Sequence, residues 1–453
     1  MEMSKTIVAL STAAGHSAIA VIRLSGREAI VICDAVFIGH KLVDQPSHTV
    51  HFGKLAIGDK VLDEVVVTIF KAPYSFTKEN VVEISCHGSP FIVQQIIELL
   101  ISQGAVPAKA GEFTMRAFLN GRFDLSQAEA VADLIASENE STHKMAIQQM
   151  RGGFSERIKL MRQQLVHLAS LLELELDFSE EDVEFANRDQ LSTLLEEIIV
   201  EASHLRDSFR WGNVLKNGIS TVIAGKPNAG KSTLLNLLLN EERAIVSEIP
   251  GTTRDTIEEK IQLNGITFRF IDTAGLRDTN DVIEKIGVQR SMDKINDATV
   301  LLYLFDVKSS AEEVALELKS FSSVRHIIPV GTKTDLLLHE NETEKFSRIE
   351  NCLFISSVNH KGIAALKMRL IHAAENEKIQ TGEVIVNNIR HVQSLNETIH
   401  ALKETQTTLS DNLSKELIAQ NIRFALHSLG EITGEITNDD LLANIFSKFC
   451  IGK

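Results

Sequence analysis

The sequence is poor in cysteine. Its four cysteines, Cys33, Cys86, Cys352 and Cys450, lie far apart, and none forms a C-x-x-C pair or a zinc-type spacing with histidine. This pattern argues against both a disulfide framework and a zinc centre, so we expect reduced thiols. The first three cysteines are most simply explained as small core residues.

The sequence also lacks long apolar runs and an excess of basic residues. No run approaches the roughly 18 residues of a membrane span, and MEMSKTIVALSTAAGHSA has neither the apolar length nor the separate basic region of a signal peptide. The formal net charge of −15 argues against broad electrostatic binding to a polyanion. We therefore expect a cytoplasmic protein without membrane attachment, whose nucleic-acid contacts, if any, are local or supplied by another protein.

The 453 residues predict two to four domains. Residues 1–118 combine β-type runs (TIVAL, AVIRL, DEVVVTIF, VVEIS) with one helical run, FIVQQIIELLIS, which predicts a small α+β domain. Residues 119–215 are helical, with an apolar stripe at steps of three and four residues. The stripe consists of Ile158, Met161, Leu165, Leu168, Leu172 and Leu176.

Residues 216–376 alternate apolar strands with amphipathic helices. The candidate strands STVIAG, ATVLLYLFDV, RHIIPVGT and CLFISS predict βαβ units around a mostly parallel sheet. Asn264-Gly265, between EKIQL and ITFRF, predicts a two-residue hairpin. The helical pattern returns in residues 377–453. Two helical segments that flank an α/β module predict an inserted domain, with the helices packing together across the insertion.

A phosphate-binding motif, G-x-x-x-x-G-K-S, runs from Gly225 to Ser232 between a predicted strand and a predicted helix. Its glycines allow backbone N–H groups to face phosphates, and the helix start adds its positive dipole end. Lys231 is expected to reach the β- and γ-phosphates, and Ser232 to ligate Mg²⁺. The flanking elements make a chance glycine-rich loop a poor explanation.

Two further segments fit the same site. Asp272-Thr273-Ala274-Gly275 ends an apolar strand, where Asp272 suits the Mg²⁺ shell and the Gly275 N–H is expected to sense the γ-phosphate. Between the two motifs, PGTTRD offers Thr252 and Thr253, one of whose hydroxyls is expected to reach Mg²⁺ when the triphosphate is bound. The order and spacing of these motifs predict a nucleotide triphosphatase.

The base is predicted from Gly331-Thr332-Lys333-Thr334-Asp335. The usual segment is N-K-x-D, in which the carboxylate accepts two N–H bonds from guanine; here Thr332 stands in place of asparagine, as it does in some GTPase families. Ser356-Ser357-Val358 resembles the last guanine-contacting loop. These residues together predict a GTPase.

Leu276 occupies the position where signalling GTPases carry the glutamine that orients the attacking water. Leucine cannot do this, so either hydrolysis is very slow or another residue and another positive charge replace it. The nearby candidates are Arg254, Arg277 and Glu284, although Glu284 alone also fits a solvated acidic face.

The sequence resembles the MnmE (TrmE) family of tRNA-modification GTPases over nearly its whole length. The segments that carry the resemblance are GKPNAGKS, PGTTRD, DTAGLR, IVAL…IRLSG, AGEFTMRAFLNGRFDLSQAEAVADLI and FCIGK. The resemblance implies an N-terminal folate-binding domain through which two chains dimerise, an all-α helical domain, and an α/β P-loop GTPase domain inserted within it. It also implies a heterotetramer with the FAD-dependent protein MnmG. That complex adds an aminomethyl or carboxymethylaminomethyl group to C5 of the wobble uridine of certain tRNAs.

The resemblance implies that K⁺ replaces the missing positive charge and that Glu284 positions the water. The expected K⁺ ligands are Asn228, Ser247, Ile249 and Thr252, and the expected Mg²⁺ ligands are Ser232 and Thr253. The expected GTP-binding residues are Asn228, Ala229, Gly230, Lys231, Ser232, Thr233, Ser247, Thr252, Thr253, Asp272, Thr273, Ala274, Gly275, Thr332, Lys333, Asp335, Ser356, Ser357 and Val358. Lys231 and Glu284 are expected to be catalytic.

The resemblance also implies a site for 5-formyl- or methylene-tetrahydrofolate, the one-carbon source. Its expected residues are Arg23, Glu83, Arg122 and Lys453. A carboxylate such as Glu83 accepts paired pterin donors, and the cations suit the glutamate tail. FSKFCIGK then forms a segment held at this site by Phe446 and Phe449. Cys450 is either a nucleophile or proton donor for the one-carbon chemistry or a merely buried thiol.

Two other functions remain open. The first is an Era-like ribosome- or RNA-assembly GTPase switch, which makes no product and should carry a basic RNA-binding region that neither end of this chain resembles. The second is a folate-dependent carrier with a vestigial GTPase, against which Lys231, Ser232 and Asp272 count.

Overall fold

The computed structural model describes residues 4–58, 60–177, 188–242, 258–272, 295, 298–337, 339–375, 384–411 and 415–452. The chain divides into two compact units. The first unit contains Met1–Ala136, Ala146–Ala202 and Gln393–Lys453, and the second contains Ser137–Met145 and Ser203–Val392.

The strands of the described residues form two sheets. They are β1 (Ile7–Leu10), β2 (Ser17–Ser25), β3 (Phe37–Ile38), β4 (Thr49–Ile57), β5 (Lys60–Phe70), β6 (Val81–Gly88), β7 (Val106–Pro107), β8 (Ile219–Gly225), β9 (Glu258–Leu263), β10 (Ile266–Asp272), β11 (Val300–Asp306), β12 (His326–Thr332) and β13 (Leu353–Phe354). The first seven strands belong to the first unit and the last six to the second.

The helices of the described residues are α1 (Ala29–Asp34), α2 (Pro90–Ser102), α3 (Glu112–Leu119), α4 (Leu125–Ile135), α5 (Glu140–Met150), α6 (Gly153–Asp177), α7 (Arg188–Asn217), α8 (Lys231–Glu242), α9 (Ala311–Lys319), α10 (Ile363–Glu375), α11 (Ile389–Ser410), α12 (Lys415–Thr433) and α13 (Asp439–Ser447). Short 3₁₀ helices span Thr334–Leu336 and Glu340–Phe346. The sheets and helices fit the predicted α+β, all-α and α/β regions.

The sheet of the first unit has the order β3-β4-β5-β6-β2-β1-β7, and its pairs are antiparallel except β1 with β7. Alternation along β5 buries Val65, Val67 and Ile69, because successive side chains point to opposite faces of a sheet. These residues join α1 and α2 in one core. The predicted strands in TIVAL, AVIRL, DEVVVTIF and VVEIS and the predicted helix in FIVQQIIELLIS are confirmed.

The apolar stripe predicted in the helical region lies on α6. Ile158, Met161, Leu165, Leu168 and Leu172 are all buried, whereas the side chain of Leu176 lies outside the described residues. α6 packs against α12. The 3.6-residue period therefore identified both the helix and its buried face.

The helix α13 and the residues that follow it are attached to the N-terminal part of the same unit. Phe446 and Phe449 are buried with Met115 and Leu125, which confirms the predicted packing of the two phenylalanines. Beyond them, Ile451 forms an antiparallel bridge with Ala110, and the Gly111 N–H donates to the Cys450 carbonyl at 3.3 Å. The Ser11 hydroxyl donates to the Gly452 carbonyl at 3.3 Å.

Gly452 has no space for a side chain. Its φ is 91°, which favours glycine. A Cβ added there would lie 2.1 Å from the Leu10 carbonyl oxygen. Gly452 thus permits the close contact between its own backbone and the strand β1.

The sheet of the second unit has the order β13-β12-β11-β8-β10-β9. All pairs are parallel except β9 with β10. The central strand β8 buries Val222 and Ile223 toward two different clusters, as expected for a parallel sheet covered on both faces. The Asn264-Gly265 hairpin is confirmed; both residues have positive φ, 51° and 76°, as a type I′ turn requires.

Among the helices of the described ranges, none is long and apolar enough to cross a membrane.

Candidate functional site

The phosphate-loop motif forms the turn between β8 and α8. Gly225, Asn228 and Gly230 have positive φ values of 146°, 64° and 88°. A Cβ on Gly225 would lie 2.1 Å from the Leu304 carbonyl oxygen of the neighbouring strand β11. Glycine is therefore required where the loop leaves the sheet, and the helix that follows begins at Lys231 with its positive dipole end at the loop.

Two lysines of the loop have different partners. The Lys231 Nζ donates to the carbonyl oxygens of Gly225 at 2.9 Å and Lys226 at 3.0 Å, so its ammonium group lies against the loop backbone. The Lys226 Nζ instead pairs with Glu313 at 3.0 Å and Glu317 at 3.1 Å. Hydrogen bonds to these two carboxylates raise the pKa of Lys226. Only Lys231 is thus held against the loop itself.

Thr332, the residue in place of the usual asparagine, ends β12 and is only 3% exposed. Its hydroxyl lies 2.9 Å from the Ala229 carbonyl oxygen and 3.1 Å from the Phe305 carbonyl oxygen. It therefore connects the base-recognition segment to the phosphate loop. Because its partners lie on the backbone, threonine has a structural role here that the sequence pattern did not predict.

Lys333 and Asp306 form an ion pair, with 2.9 Å between Nζ and Oδ2. Burial raises the pKa of Asp306, but the hydrogen bonds from Lys333 and from the Lys308 N–H together lower it by more. The pKa of Asp306 therefore lies below its ordinary value. Lys333 has a φ of 64°. The ion pair thus fixes Lys333, which directly precedes the 3₁₀ turn that contains Asp335. Asp306 was not identified from the sequence, because this residue belongs to no recognisable motif.

Asp335 is brought next to the loop after β13. The Ser356 hydroxyl donates to Asp335 Oδ1 at 2.6 Å, and the Ser356 N–H donates to the Lys361 carbonyl oxygen at 3.0 Å. Asp335 itself is exposed. A carboxylate held from one side, with its other oxygen accessible, can accept the two N–H groups of guanine.

The remaining predicted nucleotide and cation residues lie outside the described residues. They are Ser247, Ile249, Thr252, Thr253, Thr273, Ala274, Gly275 and Glu284, together with Arg254, Leu276 and Arg277. Asp272 is the last residue of β10, but its side chain is not among the described ones.

A pocket of about 530 Å³ lies in the first unit. It contains Glu83 and Arg122, two of the residues that the resemblance assigned to folate. Most of its other lining residues are aromatic or basic, namely His48, Phe70, Tyr74, Phe76 and Lys78. Aromatic faces combined with a carboxylate and cations suit a flat heterocycle with a charged tail. The aromatic members carried no signal in the sequence.

Arg23 and Glu83 are cross-strand neighbours on β2 and β6. Arg23 donates to Glu83 Oε1 from Nε at 2.9 Å and from NH2 at 2.7 Å. In the described part of the chain, the hydrogen bonds of the Glu83 carboxylate all go to Oε1 and none to Oε2. The carboxylate is therefore fixed by Arg23 through one oxygen, and the other can accept from a ligand.

Arg122 lies between two aromatic rings, 5.1 Å from the centroids of both Phe76 and Phe123. It donates to the Ser75 carbonyl oxygen at 2.7 Å, and burial lowers its pKa. Cation–π contacts of this kind hold a guanidinium group while leaving part of it accessible. Lys453, the fourth predicted folate residue, lies outside the described residues.

Of the two alternatives considered for Cys450, the buried thiol is wrong, because Cys450 is exposed. The prediction that Cys33, Cys86 and Cys352 are core residues is confirmed for Cys33 and Cys86, which are buried. It is only partly right for Cys352, whose side chain is half-buried. Phe449 and Gly452 lie against the protein on either side of Cys450, whose own side chain is exposed.

The chain matches the family description "GTP-binding protein TrmE N-terminus" over residues 6–122 and "MnmE helical domain" over residues 125–450. It belongs to the MnmE family of tRNA modification GTPases. The tRNA modification GTPase MnmE of Cytophaga hutchinsonii is 54% identical over 450 residues, which cover 99% of this chain and 98% of that protein. The MnmE of Flavobacterium psychrophilum is 50% identical over 457 residues, 99% of each chain.

The MnmE of Christiangramia forsetii is 48% identical over 474 residues, which cover the full length of both chains. Similarity over the full length includes the regions on both sides of the GTPase motifs. The alternative of an Era-like assembly GTPase is therefore not favoured.

Proposed function

We propose that this MnmE-family chain hydrolyses GTP to GDP and phosphate in the second unit. The observation that carries the proposal is the Gly225–Lys231 turn between β8 and α8, with Lys231 held against its backbone at 2.9 and 3.0 Å. Binding of a triphosphate exchanges these carbonyl contacts for phosphate oxygens, and Lys231 then stabilises charge on the transferred phosphoryl group. Ser232, the next residue, suits Mg²⁺, which neutralises phosphate charge when bound.

The nucleotide base is proposed to be guanine. Asp335 accepts from the base, Ser356 fixes its carboxylate at 2.6 Å, and Lys333 is oriented by Asp306 at 2.9 Å. Ser357, which is half-buried, and Val358, which is exposed, follow Ser356 in the same loop. Thr332 contributes through the carbonyl oxygen of Ala229, which keeps the base site in register with the phosphate loop.

The proposed mechanism uses K⁺ in place of an arginine finger. Asn228, which lies in the phosphate loop with a φ of 64°, would supply one ligand to K⁺, with Ser247, Ile249 and Thr252 as the proposed others. A bound K⁺ provides positive charge at the transferred phosphoryl group. Glu284 is proposed to position the water, because Leu276 cannot.

GTP hydrolysis in KCl is expected to exceed hydrolysis in NaCl at equal ionic strength by about tenfold or more, since the cation supplies charge of the kind that an arginine finger provides. Glu284→Ala is expected to remove this stimulation. Glu344→Ala is the matched control, because Glu344 is exposed in the 3₁₀ helix Glu340–Phe346 of the same unit. Equal slow rates of the wild type in both salts would reject the K⁺ site.

We also propose that the pocket of the first unit binds a tetrahydrofolate derivative, the one-carbon source for the modification. The residues fit such a ligand. Glu83 Oε2 accepts from the pterin, Phe76 offers an aromatic face, and Arg122 suits the glutamate tail. Cys450 and Lys453 are proposed to act near the ligand, where an exposed thiol at Cys450 is compatible with transfer chemistry.

Glu83→Gln is expected to weaken binding of 5-formyltetrahydrofolate by about tenfold, or about 1.4 kcal/mol. The amide loses the charge that both Arg23 and the pterin donors use. Glu64→Gln is the control, because Glu64 lies on the adjacent strand β5 in an exposed pair with Lys54 at 3.3 Å. Calorimetric titration checks both variants, and unchanged affinity for Glu83→Gln would remove it from the site.

The chain is proposed to act as a cytoplasmic homodimer that assembles with the FAD-dependent protein MnmG and modifies the wobble uridine of tRNA. Support for self-association comes from the sheet face opposite the core, where Val50 and Phe52 are 63% and 66% exposed and Val66 pairs with Phe52. Such adjacent apolar residues are typical of an interface. Because the net charge is −15, MnmG is proposed to supply much of the tRNA contact; tRNA titrations with and without MnmG measure this.

A further inference from the structure

Arg116 lies between the pocket of the first unit and the segment that holds the end of the chain. It belongs to α3 and its side chain is 1% exposed. Its NH1 lies 3.2 Å from Glu79 Oε2, and its NH2 donates to Glu112 Oε1 at 2.9 Å. One buried guanidinium group therefore joins two carboxylates on different segments.

The Glu79 side of this network fixes the wall of the pocket. Glu79 Oε2 accepts from the Ser25 hydroxyl at 2.6 Å, and the Ser25 and Thr77 hydroxyls are 2.6 Å apart. The Ser75 hydroxyl donates to the Glu79 carbonyl oxygen at 2.6 Å. Phe76 lies within this hydrogen-bonded loop and lines the pocket, so the hydrogen bonds of Glu79 hold the loop that carries Phe76.

The Glu112 side holds the end of the chain. Glu112 Oε2 accepts from the Lys109 N–H at 2.8 Å. The next two residues are Ala110, which forms the bridge with Ile451, and Gly111, whose N–H donates to the Cys450 carbonyl oxygen. We call residues 449–452 the terminal segment. The turn Lys109–Gly111, which contacts this segment, is thus fixed by the same Glu112 carboxylate that Arg116 contacts.

The charges make Arg116 indispensable to both sides. Without it, Glu79 and Glu112 would be two largely buried carboxylates without their common cation, an arrangement that burial makes costly. Lysine supplies the charge but lacks the planar fork that spans two acceptors. In the described part of the chain the Arg116 Nε has no hydrogen-bond partner, so the side chain is oriented by these two carboxylates.

We propose that Arg116 is a positioning residue that couples occupancy of the pocket to the seating of the terminal segment that carries Cys450. The proposal rests on the proposed folate binding. A ligand against Phe76 restrains the Ser75–Glu79 loop, and the restraint passes through Arg116 and Glu112 to Lys109–Gly111. Because coupling between two sites is reciprocal, a well-seated terminal segment tightens ligand binding by the same factor.

The experiment measures the rate at which a small disulfide reagent labels Cys450 in a Cys352→Ser chain. Cys33 and Cys86 are buried, so Cys450 then dominates the reaction. Without ligand, Cys450 is expected to be labelled faster in the Arg116→Met variant than in the chain that keeps Arg116. With 5-formyltetrahydrofolate, the Arg116 chain is expected to label at least about fivefold more slowly, and this protection should disappear in Arg116→Met. The ligand should also bind at least about fivefold more weakly to this variant.

Two further variants separate coupling from general loss of structure. Arg116→Lys keeps the charge and should restore part of the protection. Glu112→Gln keeps the Arg116–Glu79 pair and should uncouple only the terminal segment. Arg157→Met is the matched control, since Arg157 pairs with Glu201 at 3.0 Å on the surface of the same unit.

The outcomes distinguish the two proposals. If the Arg116 chain binds the ligand and all variants keep the same affinity and protection, the coupling is wrong while folate binding stands. If the Arg116 chain does not bind the ligand, both are wrong. Equal labelling of Arg116 and Arg116→Met without ligand would show that Arg116 does not hold the terminal segment, which also overturns the coupling.

Discussion

Replacing Lys231 by alanine is expected to lower kcat for GTP hydrolysis by at least about 100-fold, the range seen when a preorganised donor to transition-state charge is removed. Lys231 begins α8, and its ammonium group is held within 3.0 Å of two carbonyl oxygens of the loop. Alanine removes the positive charge and leaves the loop backbone in place. Single-turnover hydrolysis with saturating GTP separates this effect from weaker nucleotide binding.

Lys226→Ala is the control for Lys231→Ala, because the Lys226 ammonium group pairs with Glu313 and Glu317 and not with the loop. These pairs are exposed and contribute little to stability. We expect Lys226→Ala to keep most of the activity. Equal losses in both variants would mean that Lys231 has no special role in the transition state.

Replacing Asp335 by asparagine is expected to raise KM for GTP by at least about 100-fold, because a site built around a hydrogen-bond pattern rejects a ligand that leaves groups unpaired. The asparagine amide would direct N–H donors toward the N–H donors of guanine. Xanthine carries a carbonyl oxygen where guanine carries its amino group. Xanthosine triphosphate is therefore expected to become the better substrate, as measured by the ratio of the two kcat/KM values.

Ser356→Ala tests the support for Asp335. It removes the hydroxyl that donates to Oδ1 at 2.6 Å but leaves the carboxylate, so a smaller rise in KM without a change of base preference is expected. If Asp335→Asn retained its preference for GTP over xanthosine triphosphate, the base would be recognised elsewhere.

Local sequence patterns were sufficient to predict those structural features that depend on a few neighbouring residues. The Gly225–Ser232 turn and the Asn264-Gly265 hairpin depend on φ values that only certain residues adopt readily. The helix α6 was predicted because its apolar residues repeat with the helical period. The phenylalanines near the end of the chain were recognised as packing residues because side chains of that size are seldom left in water.

Contacts between distant residues could not be predicted in this way. Thr332 was seen as a substitute for asparagine, but its contact with the Ala229 carbonyl oxygen spans 103 positions and follows from the sheet topology. Arg116 carried no signal, because a buried arginine is defined by the carboxylates that fold around it. The exposure of Cys450 depends on which of the residues near it pack against the protein, and this too follows from contacts between distant residues. The proposed cation ligands between 243 and 257 lie outside the described residues and stay predictions.

The contact between Ser11 and Gly452 joins positions 441 apart, which has a consequence for how the protein is made. A ribosome releases the N-terminal sheet first and the segment with Phe446 and Phe449 only later, after the whole stretch 203–392 of the second unit. The core cluster of Met115 and Leu125 can therefore form only after Phe446 and Phe449 have been synthesised. The second unit, in contrast, can fold as it emerges from the ribosome. Chains cut short before Phe446 would carry this apolar surface uncovered, so the core of the first unit is completed only once this segment has been synthesised.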